Sequence, residues 1–382
     1  MLKWFQQTRG GPAPWGLLGM LVLVTLVESY VVRRDLDFTT RTDFDWKQTA
    51  FAASHRAAKA EILCFGDSQV KFGVQPKLLE ERLGRSSYSL ALYGGGPPSS
   101  YFLLRRALEA GAKPAAVLVN FEQGAMLADH LHHVHPRHWS ELLDARDCLD
   151  VARTYGEANL FASLLTSHIL PSYRARFELR SNIVASLKGQ STSTRHDNVI
   201  HRRNWKVNHG AEVNTRSSGY GGDVPEGYRV LVDNWTPIPV NAAYARRFFR
   251  LAARHHIRVF WLMQPYVPAY QRMREDRGMD RHYEAFARSL LTTFPNVEVI
   301  DSRRSGFEPS VFLDPVHLDR RGAAVETESI AAILHDRLAV PAGGPRWHLL
   351  PAYRDRPADS DLEDAFQSWV LVDKAAAGTL RR

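Results

Sequence analysis

The sequence predicts an α/β protein, a doubly wound parallel sheet of five strands with helices on both faces. Three observations predict it. Apolar runs of strand length recur at 61–65, 88–92, 115–121, 257–263 and 297–300, and stretches with helical spacing separate most of them. Turn formers cut the runs off: Gly66-Asp67-Ser68, Gly94-Gly95-Gly96-Pro97-Pro98 and Gln264-Pro265. Polar residues with catalytic potential sit just past the runs, at the edge where open α/β sheets bind ligands. With 382 residues there is room for one large domain or two ordinary ones, and 45% hydrophobic residues exclude a disordered chain.

The N-terminus reads as membrane-directed. Lys3 and Arg9 precede an uncharged stretch at 10–27, densest from Leu17 to Val27. Glu28 interrupts it and Arg33-Arg34 closes it. Spanning a bilayer takes about 20 residues, so the stretch is near the lower limit. No small-x-small cleavage site follows cleanly. We therefore expect an uncleaved signal anchor with the bulk of the chain exported; an ordinary buried helix is the alternative. Arg33-Arg34 offset Lys3 and Arg9, so charge bias leaves the orientation open. The expected organisation is a cytoplasmic stub and transmembrane helix at 1–34, a juxtamembrane linker at 35–60, one α/β domain at 61–340 and a peripheral tail at 341–382.

Within the domain, the first strand is Glu61–Phe65. Pro76 opens a helix through Leu78, Leu79 and Leu83 that Gly84 ends. The second strand is Tyr88–Leu92, and Ser99 can cap the helix after it. The third strand, Ala115–Phe121, is almost wholly apolar. The alternation then pauses: 124–240 reads as an insertion above the sheet edge, partly helical and partly loop, with the features of a substrate-binding lid. A helix at 242–255 carries Tyr244, Phe248, Leu251 and Ala252 at helical spacing. The fourth strand is Ile257–Met263, a helix follows at 281–292, and the fifth strand is Val297–Ile300. Asp319 can cap a last helix to about Leu338. In the tail, Trp347, Phe366 and Trp369 suggest segments that dock.

The net charge of +8 comes from 49 basic and 41 acidic residues, scattered as Arg-Arg pairs rather than gathered into a tail. It fits a solvated basic surface or attraction to anionic lipid or polymer. No nucleic-acid motif is present, and no nucleic-acid partner is expected. The two cysteines, Cys64 in the first strand and Cys148, make neither a disulfide framework nor a zinc cluster; Cys64 reads as a small core residue. No pattern calls for a cofactor or a metal.

The chemistry concentrates in two motifs about 250 positions apart. Gly66-Asp67-Ser68 would leave a serine at the C-terminal end of the first strand. Asp314-Pro315-Val316-His317 supplies an orienting carboxylate and a base three residues apart. Pro315 favours a loop that folds Asp314 back onto His317. Parallel strands bring their C-terminal ends together, so Ser68, Gly94 after strand two, Asn120 after strand three, Gln264 after strand four and Asp314 with His317 after strand five can share one crevice. In that crevice His317 would take the Ser68 proton. The Ser68 N–H, a glycine N–H near Gly94 and the Asn120 amide would stabilise an oxyanion. Gln264 is a candidate substrate-site residue.

These motifs resemble the SGNH (GDSL-type) hydrolase superfamily. Its first block matches Phe65-Gly66-Asp67-Ser68 and its last, Asp-x-x-His, matches Asp314-Pro315-Val316-His317. The resemblance covers about 61–123 and 241–338. It implies a flavodoxin-like doubly wound sheet, with Ser68 as nucleophile, His317 as base and Asp314 as third triad member. The family's oxyanion glycine matches Gly94 best, with Gly95 or Gly96 in its place if the register slips. Its third block, Gly-x-Asn-Asp, is only partly present: Leu118-Val119-Asn120-Phe121-Glu122 keeps the asparagine alone. An anchored chain of this kind also resembles exported bacterial SGNH proteins that accompany membrane-bound O-acyltransferases in exopolysaccharide acetylation. That resemblance includes His317-Leu318-Asp319-x-x-Gly322. It implies acyl, first of all acetyl, transfer to or from an extracytoplasmic polysaccharide, at a bacterial inner membrane with the catalytic domain on the periplasmic side.

Plainer readings stand beside these. Ser68 could close a turn, and His317 and Asp314 could be loop residues. Gly94–Gly96 lack the Lys-Ser/Thr of a phosphate loop. His130, His132, His133, His135 and His138 could bind metal or line the site's rim. Trp205, Tyr220 and Trp235 could stack on sugars or anchor loops. The functional expectation is a serine esterase or O-acyltransferase. The alternative is a glycan-binding or scaffold component of an exopolysaccharide acylation complex.

Overall fold

The computed structural model describes residues 15–34, 41–129, 136–170, 184, 187–188, 194–215, 220–340, 343–355 and 362–379. Its frame is one all-parallel sheet: β1 (Ile62–Phe65), β2 (Ser87–Ser89), β3 (Ala116–Val119), β4 (Arg258–Met263), β5 (Val297–Asp301) and β6 (Trp347–Leu349), in the order β2-β1-β3-β4-β5-β6. In register, Leu63 lies opposite Tyr88 and Val117, and Trp261 opposite Val119 and Val299. Alternate residues feed two cores. Leu63, Phe65, Val117, Val119 and Trp261 face one cluster; Ile62, Cys64, Leu118, Phe260 and Leu262 face the other. Both faces must therefore be covered, which explains why these strands read as unbroken apolar runs.

Fifteen helices are found among the described residues. In the first half they are α1 (Trp15–Arg34), α2 (Arg41–His55), α3 (Ser68–Gly73), α4 (Pro76–Leu83), α5 (Pro97–Glu109) and α6 (Gln123–Leu127), then α7 (Pro136–Leu142), α8 (Ala145–Tyr155), α9 (Ala158–Ile169) and α10 (Thr194–Val207). The second half holds α11 (Pro239–Arg254), α12 (Pro268–Asp276), α13 (Met279–Thr293), α14 (Arg320–Leu338) and α15 (Ala365–Thr379). α5 and α11 cover one face of the sheet through Phe102, Phe248 and Phe249; α4 and α14 cover the other through Leu79, Ile330 and Leu334. The chain leaves β1 for β2 on one side and returns to β3 on the other, so the strand order reverses between β1 and β3. In open α/β sheets that crevice takes the ligand.

Several boundaries differ from expectation for identifiable reasons. The sheet has six strands, not five. β6 lies in the tail expected to be peripheral and pairs in parallel with β5. It is a three-residue edge strand after a Pro/Gly-rich stretch, too short to show a period. Residues 41–60, expected as part of a linker, are instead core: Trp46, Ala52 and Ala53 are buried, and Trp46 meets Trp139 edge-on at 5.1 Å. The helix after β2 starts at Pro97, not Ser99. Ser99 Oγ accepts the Gly96 N–H as the third residue of the first turn. In the tail, Phe366 and Trp369 are exposed rather than docked; α15 attaches through Leu362, Asp364 and Ser368. Trp205 and Trp235 are buried anchors, with Trp235 Nε1 donating to Gln123 O, and Tyr220 donates to Asp223 O. No surface stacking platform forms at the two tryptophans.

Among the described residues, no helix is long and apolar enough to cross a membrane. The expected N-terminal transmembrane helix is therefore not supported by the fold. The exposed apolar side chains of α1 run from Trp15 to Val27, about 20 Å of helix at 1.5 Å per residue, against about 30 Å of hydrocarbon.

Candidate active site

The strand β1 ends in a turn that only glycine can make at its first position. Gly66 has φ +136°, and a Cβ there would lie 2.9 Å from Asn120 O. Asp67 then caps α3, its Oδ1 accepting the Gln69 N–H at 2.9 Å. Ser68 is the first residue of that helix, so its N–H has no intrahelical acceptor. The side chain of Ser68 is half-buried over the crevice between β1 and β3.

The second motif arrives from the far end of the chain. After β5, residues 312–318 form a loop closed by an antiparallel bridge between Phe312 and Leu318. Asp314 Oδ1 accepts the backbone N–H groups of Val316 (2.9 Å) and His317 (3.0 Å), which folds the aspartate back over its own loop. Its Oδ2 is 2.7 Å from His317 Nδ1, and His317 Nε2 is 2.7 Å from Ser68 Oγ. Burial works to raise the Asp314 pKa, but the hydrogen bond and charge of His317 and the two N–H donors outweigh it and hold the carboxyl below its ordinary value. Asp314 therefore stays ionised. It fixes Nδ1 as the protonated ring nitrogen, leaving Nε2 to accept from the serine. Phe72 packs edge-on against the imidazole at 5.0 Å. The structure brings Ser68, Asp314 and His317 into one hydrogen-bonded line.

The expected oxyanion residues fare differently. Residues 92–95 form a turn in which Gly94 has φ +63° and is exposed. The Gly95 N–H bonds to Leu92 O and the Gly96 N–H to Ser99 Oγ. Of the three glycines, only Gly94 has an N–H without an acceptor among the described residues. Gly95 serves another need: a Cβ on it would stand 2.5 Å from Gly66 O, so the loop rests backbone to backbone on the Gly66–Ser68 turn.

Asn120 is a correction. Its amide nitrogen donates to Gln69 Oε1 (2.9 Å) and Gln264 Oε1 (3.2 Å), which uses both of its N–H bonds. Flipping the amides does not free it. Gln264 Nε2 faces two acceptors, Gln69 O and Glu326 Oε2, and Gln69 Nε2 faces Val316 O, so both glutamines are pinned with their oxygens toward Asn120. Gln264, expected at the substrate site, is likewise buried and fully engaged in this chain. The chain starts at Glu326, which also accepts from Ser302 Oγ at 2.8 Å, and ends on Val316 O inside the triad loop. Burial pushes the Glu326 carboxyl up to about 7, with the hydrogen bonds from Ser302 and Gln264 opposing.

Sequence reading missed several participants. Gln69, adjacent to Ser68, anchors the 312–318 loop through Val316 O. Tyr228, in the insertion, donates to Asp314 Oδ2 at 3.3 Å, so part of 124–240 does reach the site. Glu122 accepts from Tyr266 (2.6 Å) and the buried Arg274 (3.1 Å); burial, with the charge of Glu122 adding to it, pushes Asp67 up to about 7. Only the position of Glu122, two after Asn120 beyond an apolar strand, could have flagged it. His138 is buried and paired with Asp43. His130, His132, His133 and His135 lie outside the described residues. Among the described residues no group of side chains is arranged to hold a metal. Comparison with protein-family models and with curated proteins finds no match.

Proposed function

We propose that the protein is a serine esterase or O-acyltransferase of the SGNH hydrolase type, acting through an acyl-Ser68 intermediate. One observation carries this reading: the continuous Asp314–His317–Ser68 line at 2.7 and 2.7 Å, built from segments 249 residues apart. A turn former and a loop histidine have no reason to meet in that order with the correct tautomer enforced. His317 Nε2 takes the Ser68 proton as Oγ attacks the acyl carbonyl carbon. The oxyanion settles on the Ser68 and Gly94 N–H groups. His317 then protonates the departing alcohol oxygen. Water on the acyl-serine releases the acid; a sugar hydroxyl carries the acyl group away. The substrate we favour is an acylated, first of all acetylated, extracytoplasmic polysaccharide, and a membrane-bound O-acyltransferase is the partner this implies.

Placement at a bacterial inner membrane, facing the periplasm, is part of the proposal. Its support is α1, where Trp15 is 73% and Leu26 62% exposed. Such a helix needs a lipid or protein cover. Recovery of the full chain in the soluble rather than the membrane fraction of bacterial lysates would count against it.

A fluorophosphonate probe tests the chemistry. The protein should be labelled at Ser68, mapped by peptide mass, and Ser68→Ala should be folded and unlabelled. Equal labelling of both would refute the nucleophile assignment. The second reading, a glycan-binding or scaffold component without turnover, is favoured by one fact: the Asn120 amide has no N–H left for an oxyanion. Acetate release from acetylated xylan separates the two.

A further inference from the structure

We propose that α2, the helix following the N-terminal apolar segment, belongs to the catalytic apparatus. In it Asp45 is a positioning residue that fixes the two backbone oxyanion donors relative to each other. The proposal rests on the reading of Ser68 as nucleophile.

Asp45 is 4% exposed and uses both oxygens. Oδ2 accepts the Tyr93 N–H at 2.9 Å, and Tyr93 immediately precedes Gly94. Oδ1 pairs at 2.6 Å with Nζ of Lys71, a fully buried lysine one turn after Ser68 on α3. One carboxylate thus bridges the helix that presents the Ser68 N–H and the turn that presents the Gly94 N–H. The next residue closes the clamp: Trp46 Nε1 donates to Tyr93 O at 3.0 Å. Both backbone polar groups of Tyr93 are therefore held by consecutive residues of α2. The Lys71 ammonium also donates to Ala91 O (3.1 Å) and Gly210 O (3.4 Å). The Tyr93 hydroxyl donates to Glu212 at 2.6 Å, and Arg41 pairs with the same carboxylate. Phe72 touches both the Tyr93 and the His317 rings edge-on.

A buried ion pair is a poor source of net stability, because desolvation consumes most of the attraction. Its geometry is what remains useful here. Oxyanion donors act only when held close to the position the charge will occupy. Residues 94–96 are three glycines in succession, whose backbone is intrinsically permissive, and while Gly95 and Gly96 N–H are held by Leu92 O and Ser99 Oγ, Gly94 is not. Beyond Ser89 the Leu90 and Leu92 N–H groups still bond to Cys64 O and Gly66 O, but among the described residues no backbone group bonds the N–H or C=O of Tyr93. Asp45 and Trp46 supply the missing constraint.

The test uses the full chain and three variants: Asp45→Asn, Asp45→Asn/Lys71→Met, and Trp46→Phe. Each is read by melting temperature, by fluorophosphonate rate constant at Ser68, and by kcat and KM on a chromogenic acetyl ester. Asp45→Asn should lose stability and react at least about tenfold more slowly, since a misplaced donor group costs rate by such factors. The double variant, which removes the orphaned ammonium, should recover melting temperature while the rate stays low and KM stays within about twofold. Trp46→Phe, keeping an aromatic ring, should be about threefold slow. A double variant that is folded and reacts at the wild-type rate overturns the proposal, as does a rate that simply follows melting temperature across the set. A wild-type protein unlabelled at Ser68 would instead remove the underlying reading, and this proposal with it.

Discussion

Asn120 separates two mechanisms that a motif alone would merge. If its amide completes an oxyanion hole, Asn120→Ala removes one donor from the transition state, which costs about 10²–10³ in kcat. The hydrogen bonds of the folded protein argue otherwise. Both N–H bonds of Asn120 are spent on Gln69 Oε1 and Gln264 Oε1, at 2.9 and 3.2 Å, in a fully buried setting. Truncation leaves those two carbonyl oxygens without donors. Each unsatisfied buried group costs about 1–3 kcal/mol, so the expected loss is about 2–6 kcal/mol of folding stability. In a chain of this length that lowers the melting temperature by about 1 °C per kcal/mol. The catalytic loss should stay below about tenfold, transmitted only through Gln69 and its bond to Val316 O. The assay pairs urea denaturation with kcat on a chromogenic acetyl ester, active sites being counted with fluorophosphonate. An unchanged urea midpoint with kcat down a hundredfold or more would refute this reasoning and return Asn120 to the oxyanion hole.

Other consequences follow from the same geometry. Asp314→Asn should keep the fold and lower the acyl-transfer rate by about 10³–10⁴, because the ring loses the partner that fixes its tautomer; a loss under tenfold would dissociate Asp314 from catalysis. Tyr228→Phe deletes a single long bond to Asp314 and should cost less than about fivefold in kcat, as steady-state kinetics would report. Gly95→Ala puts a methyl 2.5 Å from Gly66 O and should abolish esterase activity by prising the oxyanion turn off the nucleophile turn; wild-type kcat in that variant would contradict the close approach. Glu326 titrates with a folded pKa raised to about 7. The folded state thus holds a proton that the unfolded state loses near pH 4.5, and stability contributed by that proton falls away as pH rises from about 4.5 to 7. Glu326→Gln, which can still accept from Gln264 and donate to Ser302, should flatten this fall. It should be more stable than wild type at pH 8 by up to about 3 kcal/mol; identical urea midpoints for the two proteins at pH 5 and pH 8 would sink it.

What the sequence exposed, and what it hid, divides along a physical line. The first five strands were legible because a parallel sheet buried on both faces demands apolar runs such as Ala116–Val119, and turn formers mark their ends. Ser68 and His317 were legible because Gly66 forces special backbone at the end of such a run and Pro315 favours a loop between Asp314 and His317. β6 was hidden because three residues, two half-buried and one exposed, carry no period, and α2 because its buried Trp46, Ala52 and Ala53 are diluted by Asp43, Asp45, Lys47 and Gln48. Lys71 and Asp45 were hidden for a different reason. A charged residue in sequence looks like a solvated surface, and only the partner's position reveals that it is fully enclosed.

The same line explains why a motif can be present and a role absent. Asn120 stands where an oxyanion donor is expected, at the C-terminal end of β3 beside the nucleophile turn. Position alone does not leave an amide free. The neighbouring Gln69 and Gln264 turn their carbonyl oxygens toward it, and each glutamine is held in that pose by acceptors on its other end: Val316 O for one, Glu326 and Gln69 O for the other. On the proposed mechanism the role falls to groups that no side-chain motif encodes, two backbone N–H bonds whose spacing depends on how α2 grips Tyr93. Ser68 reactivity in this protein should accordingly be more sensitive to Asp45, 23 residues upstream of it, than to the asparagine at the sheet edge. Measuring phosphonylation rates of folded Asp45→Asn/Lys71→Met and Asn120→Ala side by side decides it, and a slower Asn120→Ala would reverse the order argued here.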